Sequence, residues 1–309
     1  MNDQPILRLG TRRSPLALAQ AEETRARLCA SHGWDSNMVE LVPVVASGDK
    51  VTDRPLAEIG GKALWTKELD QWLADGSIDA AVHSLKDVET IRPDSLHIAA
   101  ILPRADKRDR LIGVASFDDL TEGAVVGTSA PRRAAQLLNL RPDCKVVTFR
   151  GNVATRLGKL EAGEAEATFL AAAGLERLGQ DDVGVPLDPE LWLPAPAQGA
   201  IAIECRADDA RAREVLAVLD HAESRAEVMA ERALLLGLGG TCHSPIAVLC
   251  DHDAGELAMR VALFSPAGQE RVESTARFAV GDLQSPRQLG IDLLENAPSG
   301  ITAVFNGLQ

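Results

Sequence analysis

Arginine is concentrated where this acidic chain changes direction. Arg12 and Arg13 lie in Leu9-Gly10-Thr11-Arg12-Arg13-Ser14-Pro15. Arg132 and Arg133 lie in Val126-Gly127-Thr128-Ser129-Ala130-Pro131-Arg132-Arg133. Each stretch leaves an apolar run and enters a helical one. Helix N-termini present free N–H groups and partial positive charge, so they favour anions. Guanidinium forks added there suit carboxylates or phosphates. Arg150 and Arg156 flank another strand-to-helix turn, Phe149-Arg150-Gly151-Asn152, and Arg177 follows the Ala171–Gly174 run. The chain has 32 basic and 45 acidic residues, a net charge of −13. Arginines grouped at such junctions in an acidic protein imply a polyanionic, fairly large small-molecule ligand. The acidic balance itself argues against general nucleic-acid affinity.

Two other segments could do chemistry. Val82-His83-Ser84-Leu85-Lys86-Asp87 closes an expected strand, and ligands of α/β sheets bind at strand ends. Asp87 beside Lys86 reads as a general acid or base, or as a surface ion pair. His83 reads as a packed strand residue. Gly239-Gly240-Thr241-Cys242-His243-Ser244-Pro245 holds a cysteine in a tight loop, where a thiol is a nucleophile, a covalent tether or inert. The five cysteines never form a C-x-x-C pair, which excludes a disulfide scaffold and the usual zinc spacings, so no metal is expected. Walker, G-x-G-x-x-G, G-x-S-x-G and H-E-x-x-H patterns are absent. Aromatics are 3% with no tyrosine, which argues against stacking platforms.

The elements that must position these residues alternate. Apolar runs predict strands over 6–9, 39–45, 80–83, 98–102, 124–126, 145–149, 167–170 and 200–204. Helical spacing appears over 15–32, 67–75, 132–140 and 153–162. The expected fold class is α/β with parallel or mixed sheets. There is also an internal echo. The two arginine junctions correspond, and Leu73-Ala74-Asp75-Gly76-Ser77-Ile78-Asp79-Ala80 matches Leu160-Glu161-Ala162-Gly163-Glu164-Ala165-Glu166-Ala167. Two similar lobes follow, the first with extra residues around Ser47–Lys62 that read as a lid or an excursion. From Ala222 a helix, alternating segments over 258–264 and 273–280, and a helix over 289–294 predict a small α+β region. No apolar run approaches the roughly 20 residues of a membrane helix. The N-terminus lacks a signal or transit layout, so a soluble cytoplasmic protein is expected.

Taken together, these segments resemble the porphobilinogen deaminase (hydroxymethylbilane synthase) family nearly end to end. The resemblance is carried by Thr11–Leu18, Ile59–Leu69, Val82–Asp87, Gly127–Arg133, Phe149–Leu157, Ala173–Leu175, Pro194–Ala200, Ile203–Arg206 and the Cys242 loop. It implies two lobes like those of periplasmic binding proteins plus a C-terminal domain. The implied boundaries are 1–102 with 199–219, then 103–198, then 220–309. It implies a dipyrromethane cofactor joined by a thioether to Cys242. The implied reaction joins four porphobilinogen molecules head to tail, releasing ammonia each time, into linear hydroxymethylbilane. Asp87 would be the proton handler, assisting the departing amine and facing positive charge on the pyrrole nitrogen as the azafulvene forms. Arg12, Ser14, Lys62, Lys86, Thr128, Ser129, Arg132, Arg133, Arg150, Arg156, Arg177 and Gln198 would hold cofactor and substrate carboxylates or lie beside them. A monomer without nucleic-acid or membrane partners is implied. Departures from the family pattern are Glu58, Trp65, Glu89 and Pro131. The competing readings are a non-catalytic two-lobed binder of a carboxylated ligand and a hydrolase using Cys242 and His243.

Overall fold

The computed structural model describes residues 5–44, 66–239 and 244–305. Lys62, Cys242, Glu58, Trp65 and the stretch 47–62 lie outside them. In chain order the first elements are β1 (Leu7–Arg12), α1 (Pro15–His32), β2 (Val39–Val44), α2 (Lys67–Ala74), β3 (Ala80–Ser84) and β4 (Leu96–Ile101). Next come β5 (Asp109–Ile112), β6 (Val125–Gly127), α3 (Pro131–Leu140), β7 (Lys145–Val147), α4 (Val153–Glu161), β8 (Ala167–Ala171), α5 (Ala172–Glu176) and β9 (Val185–Pro186). The chain closes with β10 (Ile201–Arg206), α6 (Ala210–Ala217), α7 (Ala222–Leu238), β11 (Ile246–Asp253), β12 (Glu256–Phe264), β13 (Arg271–Ala279), α8 (Gln284–Glu295) and α9 (Ser299–Thr302).

The described residues fall into two compact units, one of 5–44, 66–105 and 200–225, the other of 106–199, 226–239 and 244–305. The first unit holds a five-stranded sheet of order β2-β1-β3-β10-β4. β1 runs parallel to β2 and β3, and β10 runs antiparallel to β3 and β4. Leu7, Leu9, Leu28, Val82, Ile201 and Ile203 form its core. β3 and β10 are buried along nearly their whole length, which is why both read as continuous apolar runs. Ser14 caps α1 by accepting from the Ala17 N–H at 3.3 Å, and Pro15 occupies the first turn. Gly33 closes the helix with φ +66°, a left-handed cap that favours glycine.

The second unit repeats the plan. Its five-stranded sheet has the order β7-β6-β8-β5-β9. β6 runs parallel to β7 and β8, and β5 runs antiparallel to β8 and β9. Strand for strand this is the first sheet again. The sequence echo falls on equivalent places: β1 leads to α1 as β6 leads to α3, with Pro15 and Pro131 both opening their helices. Gly76 and Gly163 turn their chains at the same φ of +75°. Phe169 and Trp192 stack in the core with ring centroids 4.7 Å apart. The same unit contains the antiparallel sheet β11-β12-β13, whose inner face packs on Ala230, Leu234 and Leu238 of α7 and on Leu289 and Leu293 of α8.

Three strands escape the sequence patterns. β5 begins with Asp109 and Arg110, charges that mask it, and β9 is only two residues long. β11 lies just beyond the Cys242 loop. The expected strand at 145–149 ends at Val147, because Phe149 turns inward against Gly127. A Cβ at Gly127 would lie 2.4 Å from that ring.

Candidate active site

In the first unit, β1 and β3 are parallel neighbours, so their carboxyl ends lie side by side. Arg12 ends β1, and Leu85–Asp87 continues β3 as a single 3-10 turn. This is the edge where α/β sheets place ligands. Arg12, Gln20, Thr66, His83, Ser84 and Asp87 line a cavity of about 20 Å³, roughly one water. Ser84 Oγ lies 2.8 Å from Gln20 Nε2 and 3.0 Å from its Oε1. Lys86 and Asp87 are half-buried beside it, and Ser14 is half-buried at the helix start.

Behind this cavity lies a buried ionic network. His83 Nε2 is 3.3 Å from Glu204 Oε2. Glu204 accepts both Nε and Nη2 of Arg92, at 3.0 and 2.8 Å. Arg92 also reaches Asp70 at 2.6 Å and Glu89 at 2.9 Å. Burial pushes the Glu204 carboxyl up, but hydrogen bonds and charge from His83 and Arg92 outweigh it and hold it at about 2. Burial also lowers Arg92, yet its bonds to Glu204 and Asp70 raise it overall. Glu89, one of the departures from the family pattern, thus serves as a partner of Arg92.

In the second unit the arginine junction is turned inward. Arg132 and Arg133 are 5% and 4% exposed. Both pair with Asp109, which is fully buried, each at 2.7 Å. Trp192 Nε1 and Gln198 Nε2 donate to the same carboxylate, both at 2.9 Å. Burial pushes Asp109 up, but Arg132 and Arg133 prevail and hold it well below the usual carboxylate range. Gln198 Nε2 further donates to the Lys107 carbonyl at 2.7 Å.

The remaining candidates of this unit sit at the ends of β6, β7 and β8. Thr128 Oγ1 accepts from the Ala130 N–H at 3.2 Å, and Ser129 Oγ donates to the Phe149 carbonyl at 2.5 Å. Arg150 is buried, and Asn152 caps α4 by accepting from the Thr155 N–H. Arg156 Nε donates to Gly151 O at 3.0 Å. Arg177, after α5, donates to Gly199 O at 3.1 Å.

The structure thus brings Arg12, Gln20, His83, Ser84 and Asp87 together in one unit. In the other it gathers Arg132, Arg133 and Gln198 around Asp109. The sequence reading missed Asp109, Trp192 and Glu204 as site partners. No spacing marks Asp109, because one buried acid inside Lys107-Arg108-Asp109-Arg110 looks like a solvated charge run. Among the described residues no His, Cys, Asp and Glu cluster could hold a metal ion.

The chain matches the porphobilinogen deaminase, dipyromethane cofactor binding domain over residues 7–214. It matches the porphobilinogen deaminase C-terminal domain over residues 225–298. A relative from Sphingopyxis alaskensis, called porphobilinogen deaminase, is 53% identical over 98% of this chain and 97% of its own length. Another of that name from Paracoccus denitrificans is 48% identical over 98% of this chain and 96% of its own. The chain belongs to the porphobilinogen deaminase family. Among solved structures, a periplasmic substrate-binding protein of an ABC transporter from Coxiella burnetii aligns at a TM-score of 0.44 and 15% identity, over 69% of this chain and 91% of that one.

The fold is α/β, with two five-stranded mixed sheets of one strand order and a small antiparallel sheet with helices toward the C-terminus. The cofactor of porphobilinogen deaminases is a dipyrromethane. The residues present fit such a group, whose pyrroles carry carboxylates. Two buried guanidiniums share the single carboxylate of Asp109, a donor set with positive charge to spare. Membership in this family does not favour the non-catalytic binder.

Proposed function

We propose that Asp87 handles the protons of the porphobilinogen deaminase reaction, with the arginines of both units holding the carboxylates of the growing chain. In this family's reaction four porphobilinogen molecules are joined head to tail, each losing ammonia, into linear hydroxymethylbilane. The observation that carries the reading is the meeting of Asp87 and Arg12 around one cavity at the carboxyl ends of adjacent parallel strands.

Each addition exchanges one C–H for one C–C bond and one C–N bond for ammonia. The hydrogen lost from the attacking pyrrole carbon therefore equals the proton gained by the departing amine. Asp87 gives a proton to that amine, and its carboxylate then faces the cationic pyrrole and takes the proton released after the carbon–carbon bond forms. Arg12 and Lys86 anchor a substrate carboxylate beside it, and the Ser14 hydroxyl donates there while its oxygen caps α1. Gln20 and His83 line the same cavity. In the second unit Arg150, Arg156 and Arg177, with Thr128 and Ser129, meet cofactor and substrate carboxylates. Arg132 and Arg133 do so from their seat on Asp109. Cys242 would hold the dipyrromethane, which would supply the carbon nucleophile already tethered at the site for each incoming porphobilinogen. Lys62 joins the carboxylate-holding set.

The reading includes the boundaries 1–102 with 199–219, 103–198 and 220–309. The gap between the two family matches, 214 to 225, supports the last of these. It also includes a cytoplasmic monomer acting without nucleic acid or membrane; the net charge of −13 argues against nucleic acid. No helix among the described residues is long and apolar enough to cross a membrane.

The deciding experiment weighs the purified protein and its Cys242→Ser and Asp87→Asn variants. The expected result is an added mass of two linked pyrroles in the parent and in Asp87→Asn, absent from Cys242→Ser. Asp87→Asn should lose activity by roughly 10²–10⁴-fold, the usual share of a positioned acid–base group. Near-normal turnover by primer-bearing Asp87→Asn would defeat the assignment.

A further inference from the structure

One buried carboxylate organises three parts of the second unit. Asp109 opens β5 and accepts from Arg132 Nη2 at 2.7 Å and from Arg133 Nη2 and Nε at 2.7 and 3.2 Å. Trp192 Nε1 and Gln198 Nε2 complete its partners at 2.9 Å each. A carboxylate offers about four lone-pair sites, so these donors saturate it. Among the described residues no second carboxylate lies within ion-pair distance of either guanidinium. Their other acceptors are main-chain carbonyls, Leu193 O for Arg132 at 2.9 Å and Phe169 O for Arg133 at 3.0 Å.

The interior therefore holds two guanidinium charges against one carboxylate. A buried charge without a counter-charge is costly, and the cost falls when an anion completes the site. Burial and the neighbouring Arg133 charge lower Arg132, against the pull of Asp109, as expected for a cation in surplus. The fork of Arg133 on Asp109 also fixes its plane, which a lone charge could not do. Through Gln198, the same carboxylate ties the segment before β10 to the start of β5.

We propose that Asp109 is a positioning residue for the dipyrromethane. It takes one of two guanidinium charges, holds both forks, and leaves a preset site that one cofactor carboxylate brings to neutrality. This rests on the reading in which Arg132 and Arg133 meet those carboxylates.

The test weighs intact protein purified from cells: parent, Asp109→Asn, Asp109→Glu, Arg133→Lys and the double variant Asp109→Asn with Arg133→Lys. The parent must carry the two-pyrrole increment; if it does not, the functional reading fails before Asp109 is at issue. The fraction of Asp109→Asn chains bearing the increment should fall about tenfold, the scale of a lost charge-assisted hydrogen bond. Arg133→Lys should also lose primer, and the double variant should lose less than the product of the two single losses, because Asp109 acts in part through Arg133. Asp109→Glu keeps the charge and displaces the forks, so it carries the test if Asp109→Asn does not fold. Losses that multiply in the double variant overturn the proposal. So does a full increment in folded Asp109→Asn or Asp109→Glu.

Discussion

The two five-stranded sheets share one strand order and differ in the sign of charge at their buried polar centres. β10 and β5 hold the same place, the antiparallel strand beside β3 and β8, and each carries a fully buried acid. In the first unit Glu204 shares Arg92 with Asp70 and Glu89, so three carboxylates surround one guanidinium. In the second, Asp109 stands alone between Arg132 and Arg133. The backbone plan was kept and the charges were not. One centre, behind the cavity that Asp87 lines, has negative charge in excess, and the other has positive charge in excess.

That contrast predicts an asymmetry opposite to burial alone. Arg92→Leu strands three carboxylates and should cost about 3–5 kcal/mol, the usual penalty for breaking a buried pair. Arg132→Met leaves Asp109 paired with Arg133, so it should cost less than about 2 kcal/mol although Arg132 is the more buried. Equilibrium unfolding in urea measures both, and equal losses would erase the distinction.

Acid sharpens the same comparison. Glu204 is held at about 2 in the fold. A depressed carboxyl stabilises above its unfolded value and loses that contribution as pH falls through the folded one. Stability should therefore drop by about 3 kcal/mol between roughly pH 4.5 and pH 2 on account of Glu204 alone. Glu204→Gln should flatten that part of the curve. An unchanged acid slope in the variant would place the titration elsewhere.

The repeated backbone was legible because it rests on periodicity and turn residues. Gly10 with Gly127, Pro15 with Pro131, and Gly76 with Gly163 are local signals, and each fell on equivalent geometry. Candidate residues at strand ends stood out only where charge stood in a motif, as at Asp87 and the arginine pairs, and the structure places both beside strand ends. What spacing could not reveal was pairing across long separations. Asp109 joins the start of β5 to the start of α3 and to the segment of Trp192 and Gln198, and Glu204 meets Arg92 across 112 positions. A buried acid in a charged run and a surface acid are written alike in sequence.

A smaller effect separates the equivalent glycines of β1 and β6, Gly10 and Gly127. A Cβ at Gly10 would press on the tip of Ile78, 2.3 Å from Cδ1, and on Leu69 Cδ2 at 2.9 Å. Those are ends of flexible side chains. At Gly127 it would strike the Phe149 ring at Cγ and Cδ2, both 2.4 Å away, and a buried ring shifts only as a whole. Gly127→Ala should cost about 1–3 kcal/mol by overpacking, and Gly10→Ala less. The reverse order in thermal or urea unfolding would mean that Phe149 yields more easily than this packing implies.

The smallest expected effect tests the repeat itself. Gly76 and Gly163 share φ of +75°, and a Cβ at either would meet nothing within 4 Å. Only backbone strain then opposes alanine, about 1 kcal/mol in the left-handed region. Gly76→Ala and Gly163→Ala should therefore lose the same amount, despite different neighbouring residues and different units. Equal losses mean that the two turns are one geometric solution used twice. Unequal losses would show that one turn relaxes out of the left-handed region, and the equivalence of the lobes would then stop short of their turns.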